Sequence, residues 1–295
     1  MPAITGVTAI TDLGDAVQLE KLDALAVQAR EGHIYPAICM YRGPDIVRGA
    51  QTYKFPFLDA TADAVAIPDG NDIALTTMTG DAGTATLGEV AQMVETTNPA
   101  ILAQPETEPA KLINVMGSVH TKIDKLALGL FASATNVSDF SGTALTKAHL
   151  VVATRDYKKQ VPGSGLHALV LHPDQIADIQ GEVVTPAGSS NADVALGYTA
   201  MFGPETGYKG TWQGFHLFET TNVQEADATN WLGAVFRIPR SGDDYGALGL
   251  AVWSKLMLLV RERTNATSHN LIAYADVGLT ITQQTMIRGI ASVKA

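Results

Sequence analysis

The sequence predicts an α+β fold, and three observations carry that expectation. Pro109 to Phe131 shows one apolar stripe at helical spacing. Gln51 to Thr97 breaks into short β-prone runs between Pro, Gly, Asp and Asn, and Leu256 to Val293 alternates apolar runs with turn signals. At 46% hydrophobic residues over 295 positions, the chain can bury a sizeable core. No internal repeat is visible.

Taken in order, residues 11 to 31 place Leu13, Val17, Leu22, Leu25 and Ala29 at helical spacing, behind Thr11 and Asp12 as caps and before Gly32. An amphipathic arm helix is expected, docked on a distant element or another subunit; an ordinary first helix of a globular core is the alternative. In the next region TYKFPFL, AIPDGNDIALTTMT and TATLGEVAQMVETT read as strands of a two- or three-stranded excursion, with turns at Asp69 to Asp72 and Gly80 to Gly83. Such a ribbon buries too little apolar surface to stand alone. Its large side chains, Tyr53, Phe55, Phe57, Ile67 and Ile73, are therefore expected to meet another molecule.

The long helix follows. Leu112, Met116, Val119, Ile123, Leu126 and Leu130 recur at steps of three and four, and Thr107, Glu108 and Pro109 suit a helix start. At about 1.5 Å per residue it would be roughly 35 Å long, so something broad must pack along it. Thr143 to Lys159 gives a second helical pattern with Leu150 and Val151, and Pro162 to Gly165 breaks the chain. Leu166 to Leu171 then reads as a buried strand, and Pro173 opens a short helix with Ile176 and Ile179 facing inward. Residues 181 to 214 are rich in glycine and read as an extended loop. FHLFETTNV and GAVFRI follow as strands, and LMLLVRERT, LIAYADVGLTI and GIASV close the chain, with a turn at Asn265 to Asn270.

Several function classes are disfavoured. A net charge of -10 argues against a phosphate-reading surface, so no specific nucleic-acid binding is expected. Cys39 is the only cysteine and can form neither an intrachain disulfide nor a thiolate metal site, which fits a reducing cytoplasm. Asp12, Asp15 and Glu20 stand where a signal peptide would be basic and apolar, and Leu248 to Val260 is broken by Ser254 and Lys255, so no membrane contact is expected. His167 and His172 are five apart across a strand-to-turn step and should point in opposite directions. Ser164 lacks the spacing of a nucleophile elbow, no phosphate-cradling glycine motif is present, and Asp69 to Asp72 and Asp243-Asp244 lack a full calcium ligand set. The chain reads as a non-enzyme without metal or cofactor. A small α/β enzyme with Gly188 to Gly214 as a lid is the distant alternative.

The order of elements resembles the tailed-phage major capsid proteins of the Hong Kong 97 type, over nearly the whole chain. GSVHTKIDKLALGLFASA is similar to the family's spine helix, with its lysine-isoleucine-aspartate step. GLHALVLHPDQIADI resembles the opening of the A-domain, MFGPETGYKGTWQGFHLFETTNV the loop and strand that follow, and LMLLVRERTNATSHNLIAYADVGLTI the paired strands returning to the P-domain. The resemblance implies an N-terminal arm (1–35), an extended β-hairpin or E-loop (36–98), a first P-domain part with the spine helix (99–160), an A-domain (161–250) and closing P-domain strands (251–295).

The function it implies is a self-assembling icosahedral shell of hexamers and pentamers around the double-stranded DNA of a tailed bacteriophage. Such a shell is located in the virion and assembled in the host cytoplasm, with scaffolding, portal or decoration proteins as further partners. An encapsulin-type nanocompartment shell, which shares the fold, is the alternative. Some relatives cross-link an E-loop lysine to a neighbour's asparagine. Lys54 is the one lysine between Lys21 and Lys111, and it lies just before Phe55-Pro56 near the hairpin's base rather than its tip. No long N-terminal scaffold-like segment is present, so a separate scaffold is the expected arrangement.

Overall fold

The computed structural model describes residues 33–44, 51–58, 80–97, 107–161, 165–184, 207–240, 245–262 and 268–294. The expected arm helix, Ile67, Ile73, the Asp69 to Asp72 turn, Ser164, Gly188 to Gly203 and Asp243-Asp244 lie outside these residues. The described elements begin with a helical turn α1 (Tyr35–Ile38), then β1 (Cys39–Arg42), β2 (Thr52–Leu58), β3 (Gly80–Thr86), β4 (Gly88–Thr97) and the long helix α2 (Thr107–Gly129), which tightens into a 3-10 turn over Leu130–Ser133. Next come β5 (Val137–Phe140), α3 (Lys147–Gln160), β6 (Leu166–Leu171), α4 (Pro173–Val184), β7 (Tyr208–Trp212), β8 (Phe215–Glu219) and β9 (Asn230–Ile238). The long strands β10 (Leu248–Glu262) and β11 (Ser268–Ile281) precede the closing strand β12 (Ile287–Val293).

These strands form a four-stranded sheet in the order β1-β10-β11-β4, a six-stranded sheet in the order β5-β12-β9-β6-β8-β7, and the β2-β3 ribbon. One apolar core joins α2 to both larger sheets. Leu112, Val115, Met116, Val119, Ile123 and Ala127 bury one helix face, next to Leu271, Ala273, Ala275 and Val277 of β11 and, farther along, Phe218 and Phe236 of the six-stranded sheet. A second core lies on the other face of the six-stranded sheet, under α3 and α4. Strand β6 shows why its sequence is a continuous apolar run: Ala168 and Val170 enter the first core while Leu169 and Leu171 enter the second, so both faces are covered.

The structure departs from the sequence expectation in several places; the turn expected at Gly80 to Gly83, for one, is instead the first part of strand β3, paired with Leu58 to Phe55 of β2. Leu126 is 39% exposed, and the buried positions at that level are Ala127 and Leu128, because the row from Ile123 continues four residues on rather than three. Leu130 belongs to the 3-10 turn and is half-buried against the first core. Val151 is 42% exposed, and α3 instead buries Leu150, Ala153, Thr154 and Tyr157. Finally, the excursion is not one free ribbon. Strand β4 pairs along its length with β11, from Gly88 opposite Val277 to Thr97 opposite Ser268, and only β2 and β3 form the two-stranded part. Two boundaries also shift: β7 lies within the stretch expected as loop, and β10 begins at Leu248, before the expected Leu256.

Candidate assembly surfaces

The segment from His33 to Ile38 is fixed by a buried carboxylate. Helix α2 turns Asp124 inward, fully buried, where Oδ1 accepts the backbone N–H of Ile34 at 3.2 Å and of Tyr35 at 2.9 Å, and Oδ2 accepts the Asn222 side-chain amide at 2.8 Å. The first N–H groups of a helical turn have no partner within it, and a carboxylate there satisfies them. Burial pushes the Asp124 carboxyl above its ordinary range, while the Asn222, Tyr35 and Ile34 bonds and His33 pull it back. One turn earlier on α2, His120 shares a 2.7 Å hydrogen bond between its Nδ1 and the Tyr35 hydroxyl, with the His33 ring stacked at 5.5 Å. Burial holds the His33 imidazole below its ordinary range. Residues 33 to 38 are thus pinned to the long helix. A groove of about 760 Å³ opens beside them, lined by Tyr35, Pro36, Met116, Ile123, Leu250 and Val277 among others.

The base of the β2-β3 ribbon is also fixed to its own chain. Phe55 is 1% exposed, and a Cβ built on Gly249 of β10 would fall 2.8 Å from its ring. Met40, Ala85 and Ala251 complete that cluster, with Tyr53 edge-on to Phe55 at 4.8 Å between ring centres. Gly83 and Gly278 serve the same close approach: a Cβ on Gly83 would meet the Ile281 carbonyl at 2.5 Å, and one on Gly278 the Thr86 carbonyl at 2.8 Å. Phe55, expected at a subunit contact, is therefore a core residue of its own chain. Lys54 is exposed, and Tyr53 and Phe57 are half-buried.

The four-stranded sheet has a second face, turned away from α2. Along β11, Leu271, Ala273, Ala275 and Val277 are buried, while Ile272, Tyr274 and Asp276 between them are partly exposed. Beside these, Met257 pairs with Tyr274, whose hydroxyl lies 3.3 Å from the Met257 sulfur, and Met93 pairs with Ile272. Met257, Met93 and, nearby on β10, Trp253 are 49 to 57% exposed. Large apolar and aromatic side chains gathered on a solvent face mark a surface that another protein covers. Sequence reasoning read these strands as strands but did not assign them this face.

Among the described residues, His167, His172 and His216 have structural partners rather than a common site. His167 meets the Tyr157 hydroxyl at 3.0 Å and His216 the Tyr208 hydroxyl at 3.3 Å, while His172 stacks on Trp231 at 3.6 Å and sits 3.2 Å from the Asp174 carboxylate. Burial, together with the Asp124 charge, pushes the Cys39 thiol far above its ordinary range, leaving it a poor nucleophile. Among the described residues no group of three His, Cys, Asp or Glu side chains could hold a metal ion, and no helix is long and apolar enough to cross a membrane.

No family model and no curated protein matches the chain. Solved structures match its architecture. The capsid of Ralstonia phage GP4 aligns with a TM-score of 0.67 at 8% identity, covering 90% of this chain and 92% of that chain. The capsid of cyanophage P-SCSP1u gives 0.62 at 10% identity, with 90% of both chains covered. This chain has the fold of phage capsid subunits. The mature capsid of bacteriophage PhiM1 agrees, with a TM-score of 0.60 at 11% identity over 88% of this chain and 87% of that one. Such coverage in both directions means that the capsid fold accounts for the whole architecture and not for one shared subdomain. At these identities the side chains have been almost wholly replaced, so the surfaces of this capsid-fold chain must be read from its own residues.

Proposed function

We propose that this chain is the major capsid protein of a tailed bacteriophage, self-assembling as hexamers and pentamers into the icosahedral head shell that encloses double-stranded DNA. The observation that carries the reading is the shared fold with phage capsid chains over about nine-tenths of both partners. In Hong Kong 97 terms, residues 1–35 are the arm, 36–98 the E-loop, 99–160 and 251–295 the P-domain and 161–250 the A-domain. The neighbour meets Tyr53, Lys54 and Phe57 of the E-loop with Ile67 and Ile73 beyond them, while Phe55 stays in its own core.

The physics supports this reading. A shell subunit needs a rigid middle and extensions fixed only at their roots, and Asp124 and Gly249 supply such roots. The exposed face around Trp253 and Met257 needs a covering partner, and a neighbouring copy is available at every position of a shell. A chain of net charge -10 does not bind tightly to the phosphates it encloses. The subunit would function within the virion after assembly in the host cytoplasm, with scaffolding, portal or decoration proteins as further partners. Purified protein examined by negative-stain microscopy and light scattering should show closed particles. Only monomers or small oligomers, even with a scaffold supplied, would overturn the reading.

A further inference from the structure

The six-stranded sheet carries opposite charge at its two ends. Strands β5, β12, β6 and β8 run in one direction and β9 and β7 in the other, so the ends of β5 and the start of β9 lie together. At that end the turn after β5 and the loop before β9 meet, with the Gly142 N–H 3.4 Å from the Asn230 side-chain oxygen, and present Asp139, Glu225 and Asp227. The nearby cations Lys294 and Lys209 are each held by a carboxylate, Glu225 at 2.8 Å and Glu219 at 3.3 Å. At the opposite end, the last turns of α3 carry Arg155, Lys158 and Lys159 around the single carboxylate of Asp156. The Lys158 ammonium lies 4.8 Å above the Phe215 ring at the start of β8, and Arg288 stands at the start of β12. Strand β9 separates the two ends by about 26 Å at roughly 3.3 Å per residue.

The cationic end is shaped as well as charged. Val151 and Val152 are 42% and 37% exposed on the same side of α3 as Arg155 and Lys159. A groove of about 400 Å³ runs beside them, lined by Val151, Thr154, Arg155, Lys158, Lys159 and Gln213. β-Branched side chains left in solvent among cations suit a covered protein contact better than a free helix face. The acidic turns are rigid. Asp139 accepts from the Ser141 N–H at 2.9 Å and from its hydroxyl, while Asp227 accepts from the Thr229 N–H at 2.7 Å and from the Asn230 amide. These bonds keep Asp139 below the usual carboxylate range and hold Asp227 at about 2, so both remain charged.

We infer that the α3 face of one copy receives the turns at 139–142 and 225–229 of the next copy, an electrostatic head-to-tail contact within the capsomer ring. The two surfaces lie too far apart to meet within one chain, and a contact between different patches on identical chains generates a ring when the rotation closes. Complementary charge of this kind sets partner orientation and register. The inference rests on the shell reading.

The test is a charge swap read by sedimentation velocity for assembly and circular dichroism for folding. Arg155→Glu with Lys159→Glu sits on exposed positions and should fold normally, yet lower particle yield about tenfold or more, because each ring repeats the loss. Asp139→Asn with Asp227→Asn retains the turn acceptors and should lower yield in the same direction. Adding Asp139→Lys and Asp227→Lys to the Arg155→Glu, Lys159→Glu chain should restore particles. If either two-site variant assembled at wild-type yield, the contact would be overturned, including the case in which the cationic end serves encapsidated DNA instead. A folded four-site chain that stayed unassembled would overturn it too. Should that chain misfold, the Asn pair decides. Failure of the wild-type chain to form particles would remove the shell reading itself.

Discussion

Asp124 of the long helix accepts the backbone N–H of Tyr35 at 2.9 Å, a bond that spans 89 residues of sequence and fixes the segment around Tyr35 to that helix. Replacing Asp124 with Ala would strand the N–H groups of Ile34 and Tyr35 and the Asn222 amide in a buried site. The cost should be about 2–4 kcal/mol, read as a lower denaturation midpoint at unchanged slope. A variant with wild-type stability would show that water replaces the carboxylate without loss.

The same region makes a pH dependence predictable in sign. His33, His167, His172 and His216 all titrate below their ordinary value, chiefly through burial. A histidine depressed in the fold contributes stability that is present above its unfolded value of about 6.5 and lost as pH falls through the folded value. Asp124 is raised, so it acts oppositely: its contribution is present below its unfolded value and lost as pH rises through the folded one. The unassembled subunit should therefore melt at lower temperature at mildly acidic pH than at neutral pH. His33→Gln should flatten that slope, and an unchanged slope in this variant would place the effect at the other three histidines.

The long helix offers a direct contrast between neighbouring leucine-type positions. Ile123 is 3% exposed and Leu126 39% exposed. Ile123→Asp would bury an unpaired charge and should cost about 3–5 kcal/mol, enough to abolish soluble expression of most domains. Leu126→Asp should cost well under half of that. Equal losses by thermal melting would mean that Leu126 also belongs to the core.

Phe55 and Gly249 should behave as one unit. Phe55→Ala removes a fully buried ring and should cost about 3–5 kcal/mol. Gly249→Ala pushes a methyl into that ring and should cost about 1–3 kcal/mol. In the double variant the truncated side chain makes room for the methyl, so the combined loss should fall short of the sum. Strict additivity in chemical denaturation would show that the ring and the strand are not in contact.

Much of this architecture was legible because the signals are periodic. The stripe from Leu112 to Ile123 and the two-faced run from Leu166 to Leu171 declare their burial in sequence, since each residue's partner face follows from the repeat itself. What was not legible depends on distant partners. Asp124 lies in the lysine-isoleucine-aspartate step, but its role needs Ile34, Tyr35 and Asn222, between 89 and 98 residues away. Phe55 looks like an exposed ribbon aromatic until Gly249 is seen beneath it. Strand β4 reads as ribbon until its ladder with β11 is known, because period-two alternation does not say which strand will pair. The charge polarity of the six-stranded sheet likewise appears only when strand direction brings Asp139 beside Asp227.

The ribbon provides the last test, and the structure sets its limits. Leu58 and Gly80 are the outermost described pair, while Ala85 is fully buried and Gly83 lies against the Ile281 backbone. Removing residues 60 to 78 and joining the ends with a short glycine-containing turn should therefore leave the clamp around Phe55 intact. Closure entropy varies slowly with loop length, so the shortened chain should fold with near-native helix content. It should nevertheless fail to form shells, because the part proposed to meet a neighbouring subunit is gone. Extending the deletion to residue 85 would remove Ala85 and expose Phe55, and that chain should be several degrees less stable than the shorter deletion. Circular dichroism reports the fold and sedimentation velocity the assembly. Full-size particles from the 60 to 78 deletion would show that the ribbon's outer part makes no essential subunit contact, and outright unfolding would place it in the subunit's own core.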